Sequence, residues 1–212
     1  MPLMPGGHDM PQYRTSPMDK HQRKQHSEGG DWEWFTEFAG IHMPSNYYVF
    51  HLISKIFSAQ PHLTQIVEFG TYYGNMSVCL GLQGVRHAIP CTTYDIHPYP
   101  DEKTKRIFSA LNIEQRVADI FDPAIQQEIV ARLSTGPTYL LIDNGDKKRE
   151  FELYVPHLVP GSVVSVHDYG TEFVDKDWQV HASLVEPYLQ GEWDKHNVQF
   201  ASFTIRPREG RD

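Results

Sequence analysis

Short apolar segments alternate with longer amphipathic ones from Leu63 towards the end of the chain. The apolar segments have the length of strands and predict strands at 65–69, 91–95, 115–120, 138–143 and 162–167. The amphipathic segments predict helices beginning at 75 and covering 101–111, 123–133, 147–158 and 178–189, and residues 197–206 predict one or two further strands. Continuously apolar strands that alternate with helices are typical of a parallel sheet covered on both faces. The pattern therefore predicts an α/β fold of the Rossmann-like, doubly wound type.

The pattern also divides the chain into three predicted parts. Residues 1–30 are polar, rich in proline and glycine and without apolar periodicity, which predicts a flexible arm. Residues 31–62 predict an aromatic and helical cap with a helix from about Asn46 to Ser58, and residues 63–212 form the predicted α/β domain. The aromatic part of the cap contains Trp32, Trp34, Phe35 and Phe38.

Composition narrows the classes of function. The net charge of -8 disfavours sequence-independent binding of nucleic acid, because phosphate contacts need clustered lysine and arginine. Apolar segments are too short to span a bilayer and no apolar signal segment follows Met1, so we expect no membrane partner and a cytoplasmic protein. The two cysteines, Cys79 and Cys91, lie in apolar surroundings and predict free buried thiols.

A carboxylate lies at or near the carboxyl end of every one of the five predicted strands: Glu68, Asp95, Asp119, Asp143 and Asp168. Ligands of such sheets bind beyond the carboxyl ends of the strands. These residues therefore predict a ligand pocket lined by acids. Taken singly, each acid could equally cap a helix or lie in a solvated loop.

The turn after the first strand indicates which ligand the pocket takes. Its spacing, Glu68-x-Gly70-x-x-x-Gly74, differs from the G-x-G-x-x-G turn that binds a pyrophosphate. Glu68 would repel a phosphate and suit an amine, Asp95 lies where an acid holds ribose hydroxyls, and Asp119 could accept from an adenine amino group. A ribose and an adenine without a diphosphate describe S-adenosylmethionine.

The segment from about Gly40 to Arg206 resembles the class I S-adenosylmethionine-dependent methyltransferases. The residues that carry the resemblance are Val67-Glu-Phe-Gly-Thr-Tyr-Tyr-Gly74, Tyr94-Asp95, Ala118-Asp119, Leu141-Ile-Asp143 and the stretch from Leu158 to Asp168. With the lead-in Trp34, Gly40 and Pro44, the chain is most similar to the group of macrocin-type O-methyltransferases and cephalosporin hydroxylase-like proteins. The resemblance implies a seven-stranded sheet whose last, antiparallel pair lies within 192–206.

The turn and the strand ends give one set of candidate residues for S-adenosylmethionine. Gly70 and Gly74 would let the backbone approach the ligand, and the first N–H groups of the following helix would face its carboxylate. The set consists of Glu68, Gly70, Thr71, Tyr72, Gly74, Asn75, Ser77, Asp95, Ile96, Asp119, Ile120 and Asp143.

The resemblance also implies a divalent cation, Mg²⁺, Mn²⁺ or another, held by Asp143, His167 and Asp168. Metal-dependent members often have two acids, or an acid and an amide, where this chain has His167-Asp168, and an imidazole favours manganese, iron or zinc over magnesium. Two alternatives stay open: His167 acts without metal as a general base oriented by Asp168 or Asp143, or it packs under the sheet edge. Lys147 is a further catalytic candidate if burial lowers its pKa.

The leading hypothesis is O-methylation of a small-molecule hydroxyl. Its alternatives are a hydroxylase-like metal enzyme on the same fold and a non-catalytic cofactor-binding or assembly protein. The aromatic lead-in could serve the interface of a homo-oligomer. Aromatic side chains of the lead-in and of the loop after Asp168 would line the acceptor or form an ordinary hydrophobic cap.

Overall fold

The computed structural model describes residues 34–46, 48–196 and 199–207. The elements in chain order are β1 (Trp34–Phe38), β2 (Ile41–Asn46), α1 (Tyr48–Ala59), β3 (Gln65–Phe69), α2 (Asn75–His87), β4 (Cys91–Asp95), α3 (Glu102–Ala110), β5 (Ile113–Val117), α4 (Pro123–Leu133), β6 (Thr138–Ile142), α5 (Lys147–Tyr154) with a 3₁₀ turn (Val155–His157), β7 (Val163–His167), α6 (Asp175–Gln179), β8 (Val185–Tyr188), α7 (Gln190–His196) and β9 (Phe200–Ile205).

Seven strands form the main sheet in the order β5-β4-β3-β6-β7-β9-β8. Strands β3 to β7 pair in parallel, and β9 is antiparallel to both β7 and β8. The prediction of a seven-stranded, mainly parallel Rossmann-like sheet is confirmed. The chain runs from β3 outwards to β5 and then crosses back to β6, so a crevice opens at the carboxyl ends of β3 and β6.

The central strands are buried along their whole length, because helices cover both faces of a parallel sheet. Every residue of β3, β4 and β6 is buried, which explains the apolar side chains in the middle of β3 and along β6. Three helices of this domain are capped by aspartates whose side chains accept backbone N–H groups of the first turn. These are Asp101 for α3, Asp122 for α4 and Asp146 for α5. These caps fix the points at which the loops of the crevice end.

The predicted helix over 178–189 is wrong. Helix α6 ends at Gln179, and residues 185–188 form the edge strand β8. Pro187 explains the difference, because proline breaks a helix interior but is accepted on an edge strand. The last antiparallel pair is therefore β8 with β9, so its first strand precedes the predicted range, and α7 lies between the two.

Further boundaries differ from the prediction. The strand predicted over 115–120 is β5, which ends at Val117 because the Asp119 carboxylate accepts the N–H of Phe121 in a turn. The helix predicted from Asn46 begins at Tyr48, and the preceding lead-in forms the antiparallel hairpin β1–β2. The predicted arm and Trp32 lie outside the described residues.

Cys79 and Cys91 are buried and unpaired, as predicted. In the part of the chain that the structure describes, we find no helix with the length and apolar character needed to cross a membrane.

Candidate functional site

The sheet order brings the acidic strand ends together along one edge. From β5 inwards the edge carries Asp119, Asp95 and Glu68, and beyond the crossover it carries Asp143 and then His167 with Asp168. Every sequence-predicted acid therefore lies on the carboxyl edge of adjacent strands. The roles of these residues follow from their individual surroundings.

The glycine turn is held by close packing within the protein. Gly70 has a φ of 96°, and a Cβ atom there would lie 2.2 Å from the carbonyl oxygen of Asp143. Gly74 has a φ of 90°, and its Cβ would lie 2.6 Å from the ring of Phe108. The two glycines were predicted to admit a ligand; in this structure they admit the backbone after β6 and the side chains of α3.

Asp95 fastens this turn to the next strand end. Its Oδ2 accepts the N–H of Tyr72 at 2.9 Å, and its Oδ1 accepts the N–H of His97 at 3.0 Å. Asp95 is buried, so the alternative of a solvated loop acid does not describe it. Tyr72 has a φ of 45°, a left-handed conformation that is uncommon for a tyrosine. The hydroxyls of Thr71 and Thr93, 2.7 Å apart, join the same two strands beneath the turn.

Glu68 has a fully buried carboxyl group, of which only one oxygen is hydrogen-bonded within the described residues. The Ser77 hydroxyl donates a short hydrogen bond to Oε2, whereas Oε1 has no hydrogen-bond partner among the described residues. Burial raises the pKa of Glu68 to about 8, with smaller effects from Ser77, Thr93 and the carboxylates of Asp143 and Asp95. A buried, unpartnered acceptor at the carboxyl edge of the sheet fits a cationic donor such as an ammonium group.

The remaining cofactor candidates occupy different surroundings. Asn75 and Ser77 are buried in the first turn of α2. The N-cap of this helix is Gly74, so no side chain at the N-cap accepts its first N–H groups. Asp119 is exposed. Ile96 is half exposed, whereas Ile120 is buried in the hydrophobic core.

Asp143, His167 and Asp168 converge at the ends of β6 and β7. His167 Nδ1 lies 3.3 Å from Asp143 Oδ1 and 3.2 Å from Asp168 Oδ1. One ligand atom of each residue lies within 4.8 Å of the others. Asp168 has a φ of 55°, which turns the chain immediately after β7. Two carboxylates and an imidazole at this spacing fit a divalent cation by donor type.

When no metal is bound, the neighbouring charges shift the pKa values of His167 and Asp168. Burial alone would lower the pKa of His167, but Asp143 and Asp168 raise it to about 10. Burial would raise the pKa of Asp168, but His167 and Lys147 hold it well below its usual range. The imidazole is therefore protonated at neutral pH, and a general base at His167 must first lose that proton.

Lys147 is buried against the same carboxylates. Burial alone would lower its pKa, but Asp143, Asp168 and Glu172 outweigh burial and raise it. The lowered pKa required for a deprotonating lysine is therefore not found. Glu172 was missed by the sequence analysis, because nothing in the sequence distinguishes it from the other acids in loops. The neighbouring Lys148 is exposed.

Two clusters of aromatic side chains lie near the carboxyl edge of the sheet. Tyr72, Tyr73 and Tyr99 are partly exposed and lie with ring centroids 4.2 to 6.1 Å apart beside the glycine turn. After Asp168, Phe173 is fully buried and Tyr169 packs edge-on against Trp193. The second cluster is therefore a hydrophobic cap, whereas the first leaves ring surface near the carboxyl edge of the sheet.

Comparisons with known proteins agree with this geometry. A family model described as a methyltransferase domain matches residues 67–169, the segment from β3 to the turn after β7. A solved structure named "cmcI-D160 Mg-SAM" matches with a TM-score of 0.62 at 14% identity, over 96% of this chain and 89% of that chain. "CmcI-N160 apo-structure" gives 0.61 at 14% identity, over 96% and 89%. "cmcI-N160 SAH" gives 0.51 at 16% identity, over 77% and 81%.

A search of the curated proteins found no significant match. At these identities the solved structures establish the fold, and the matched segment adds the family signature at the residues that form the crevice. The family match therefore identifies residues 67–169 as a methyltransferase domain, and the solved structures show the same fold around it.

Proposed function

We propose that the chain methylates a hydroxyl group of a small molecule, with a divalent cation at Asp143, His167 and Asp168. The observation that carries the proposal is the convergence of these three side chains beside the strand that holds Glu68. The name "cmcI-D160 Mg-SAM" associates magnesium and S-adenosylmethionine in a protein of this fold, which supports the pairing.

The residues around the glycine turn would hold the cofactor. Glu68 would accept the ammonium group at its free Oε1, and the first N–H groups of α2 would face the carboxylate. Asp95 would hold the ribose hydroxyls while keeping its two backbone partners, because each carboxylate oxygen accepts more than one hydrogen bond. Asp119 would accept from the adenine amino group. These residues would together hold the cofactor along the carboxyl edge of the sheet.

The triad would hold the metal and thereby the acceptor. A bound divalent cation supplies a Lewis acid that lowers the pKa of a hydroxyl and orients its oxygen. His167 favours Mn²⁺ or Fe²⁺ over Mg²⁺, since an imidazole suits these metals better. Methyl transfer is an in-line displacement that depends mainly on positioning, which the side chains at the ends of the paired strands β6 and β7 would supply.

A methyl-transfer assay tests the proposal. We expect radiolabelled methyl to pass from S-adenosylmethionine to members of a panel of small alcohols and phenols when Mn²⁺ is present, and EDTA to suppress the transfer. The absence of both cofactor binding and transfer across the panel would overturn the proposal. Oxygen consumption with Fe²⁺ and no methyl transfer would instead favour the hydroxylase-like alternative.

Asp143→Asn is expected to weaken Mn²⁺ binding by about 10- to 100-fold, because it replaces a charged ligand by a neutral one. Calorimetric titration with Mn²⁺ measures this change. Glu152→Gln is the control, since Glu152 is exposed on α5 and contacts only Lys148 among the ion pairs of the described residues. Equal Mn²⁺ affinities of Asp143→Asn and the control would argue against Asp143 as a ligand.

A further inference from the structure

Lys147 lies in a cage of acceptors at the start of α5. Its Nζ lies 2.6 Å from Glu172 Oε2, 3.1 Å from Asp168 Oδ2 and 3.8 Å from Asp143 Oδ1. It also donates to the carbonyl oxygen of Asn144 at 3.1 Å. The Lys147 side chain is only 3% exposed, so solvent screens these contacts weakly.

Two of these carboxylates, Asp143 and Asp168, are also the oxygen donors of the candidate metal site. An ammonium group and a divalent cation would therefore share the same two carboxylates. Like charges in a poorly solvated site repel each other, and each carboxylate that pairs with the ammonium has less negative potential for the metal. Lys147 consequently opposes the binding of a second cation in its present position.

Glu172 differs from the two aspartates in place and exposure. It lies on the loop after β7, its side chain is 56% exposed, and it is outside the group of candidate metal ligands. Its contact with Nζ is also the shortest of the three. Glu172 can therefore keep the ammonium when the aspartates are engaged elsewhere.

We propose that Lys147 is an internal cation that competes with the divalent metal for Asp143 and Asp168, and that Glu172 retains its ammonium group when the metal is bound. The inference rests on the metal site of the proposed function. It assigns Lys147 and Glu172 to control of metal affinity instead of proton transfer. With the His167 imidazole deprotonated, as a metal ligand must be, the three carboxylates and the one ammonium leave two negative charges, which a divalent ion would balance.

Calorimetric titration of the full chain with Mn²⁺ at physiological ionic strength tests the inference. Lys147→Gln removes the competing charge and is expected to bind Mn²⁺ about tenfold more tightly than the unsubstituted chain. Glu172→Gln releases the ammonium towards the aspartates and is expected to weaken binding by about threefold or more. Lys148→Gln is the matched control, because Lys148 is exposed and its ion pairs are 3.9 Å long.

A change of Mn²⁺ affinity in the opposite direction would overturn the inference. If Lys147 only organised the aspartates as ligands, Lys147→Gln would bind Mn²⁺ more weakly than the unsubstituted chain. Unchanged affinity in Lys147→Gln, with Mn²⁺ bound by the unsubstituted chain, would overturn the inference and leave the proposed metal site standing. Failure of every variant to bind Mn²⁺ would overturn both.

Two measurements keep the test sharp if Lys147→Gln folds poorly. Lys147→Arg retains the positive charge and is expected to keep the original Mn²⁺ affinity or weaken it, whereas tighter binding would contradict the inference. Glu172→Gln changes an exposed loop residue, and its expected loss of Mn²⁺ affinity tests the inference independently of Lys147→Gln. Thermal unfolding of each variant without metal verifies that the compared chains are folded.

Discussion

Replacing Gly70 with alanine is expected to lower the free energy of unfolding by about 4 kcal/mol and to abolish detectable S-adenosylmethionine binding. The added Cβ would lie 2.2 Å from the carbonyl oxygen and 2.6 Å from the carbonyl carbon of Asp143, which are backbone atoms with no alternative rotamer. The φ of 96° adds strain, because an alanine rarely adopts it. Urea unfolding and calorimetric titration with S-adenosylmethionine measure the two losses.

Two other glycines separate the collision from the backbone strain. Gly170 has a φ of 90° with nothing within 4 Å of its added Cβ, so Gly170→Ala is expected to cost only about 1 kcal/mol. Gly145 also has open space, and its φ lies outside the left-handed region, so Gly145→Ala is expected to change the stability little. If Gly70→Ala lost no more stability than Gly170→Ala, the close approach of β3 and β6 would not be what requires this glycine.

The centre of the fold was predictable because its physics is local. Strands buried on both faces must be continuously apolar, and Val67 in β3 and Leu140 in β6 lie in such segments. The edge strand β8 was not predictable in the same way. Val185-Glu-Pro-Tyr188 is amphipathic, and only its pairing with β9 makes it a strand.

The candidate site shows the same division. The acids could be found from the sequence because parallel strands end at one edge, and Asp95 and Asp143 follow the ends of predicted strands. The residues that contact these site side chains from distant parts of the sequence could not be predicted. Asp95 accepts the N–H of Tyr72, 23 residues away, and Lys147 pairs with Glu172, 25 residues away. Such contacts depend on loop conformation, including the left-handed backbone of Tyr72 and Asp168.

Glu68→Gln is expected to stabilise the cofactor-free chain at high pH and to weaken S-adenosylmethionine binding by about 100-fold. Burial raises the pKa of Glu68 from 4.5 to about 8. Between these values the folded chain keeps a proton that the unfolded chain releases, so the free energy of unfolding falls as the pH rises, and the whole cost is present above pH 8. Glutamine does not ionise and removes this cost, up to about 5 kcal/mol.

Urea unfolding between pH 4.5 and 8.5 measures the stability. The unsubstituted chain should lose stability across this interval, and Glu68→Gln should lose less. Glu150→Gln is the matched control, because Glu150 is also buried with a pKa raised to about 7 but lies on α5 and is not among the residues assigned to the cofactor. We expect Glu150→Gln to gain stability at high pH without losing S-adenosylmethionine affinity.

The same carboxyl links stability to cofactor binding. If the ammonium of S-adenosylmethionine pairs with Oε1 of Glu68, it favours the charged carboxylate, and binding at pH 7 must release a proton. Calorimetric titrations in buffers of different ionisation enthalpy count that proton, and Glu68→Gln should release none from this position. Equal cofactor affinity in the two chains would contradict the assigned contact. A buried acid that destabilises the empty protein is reasonable at this position, because its cost is recovered only when the cation arrives.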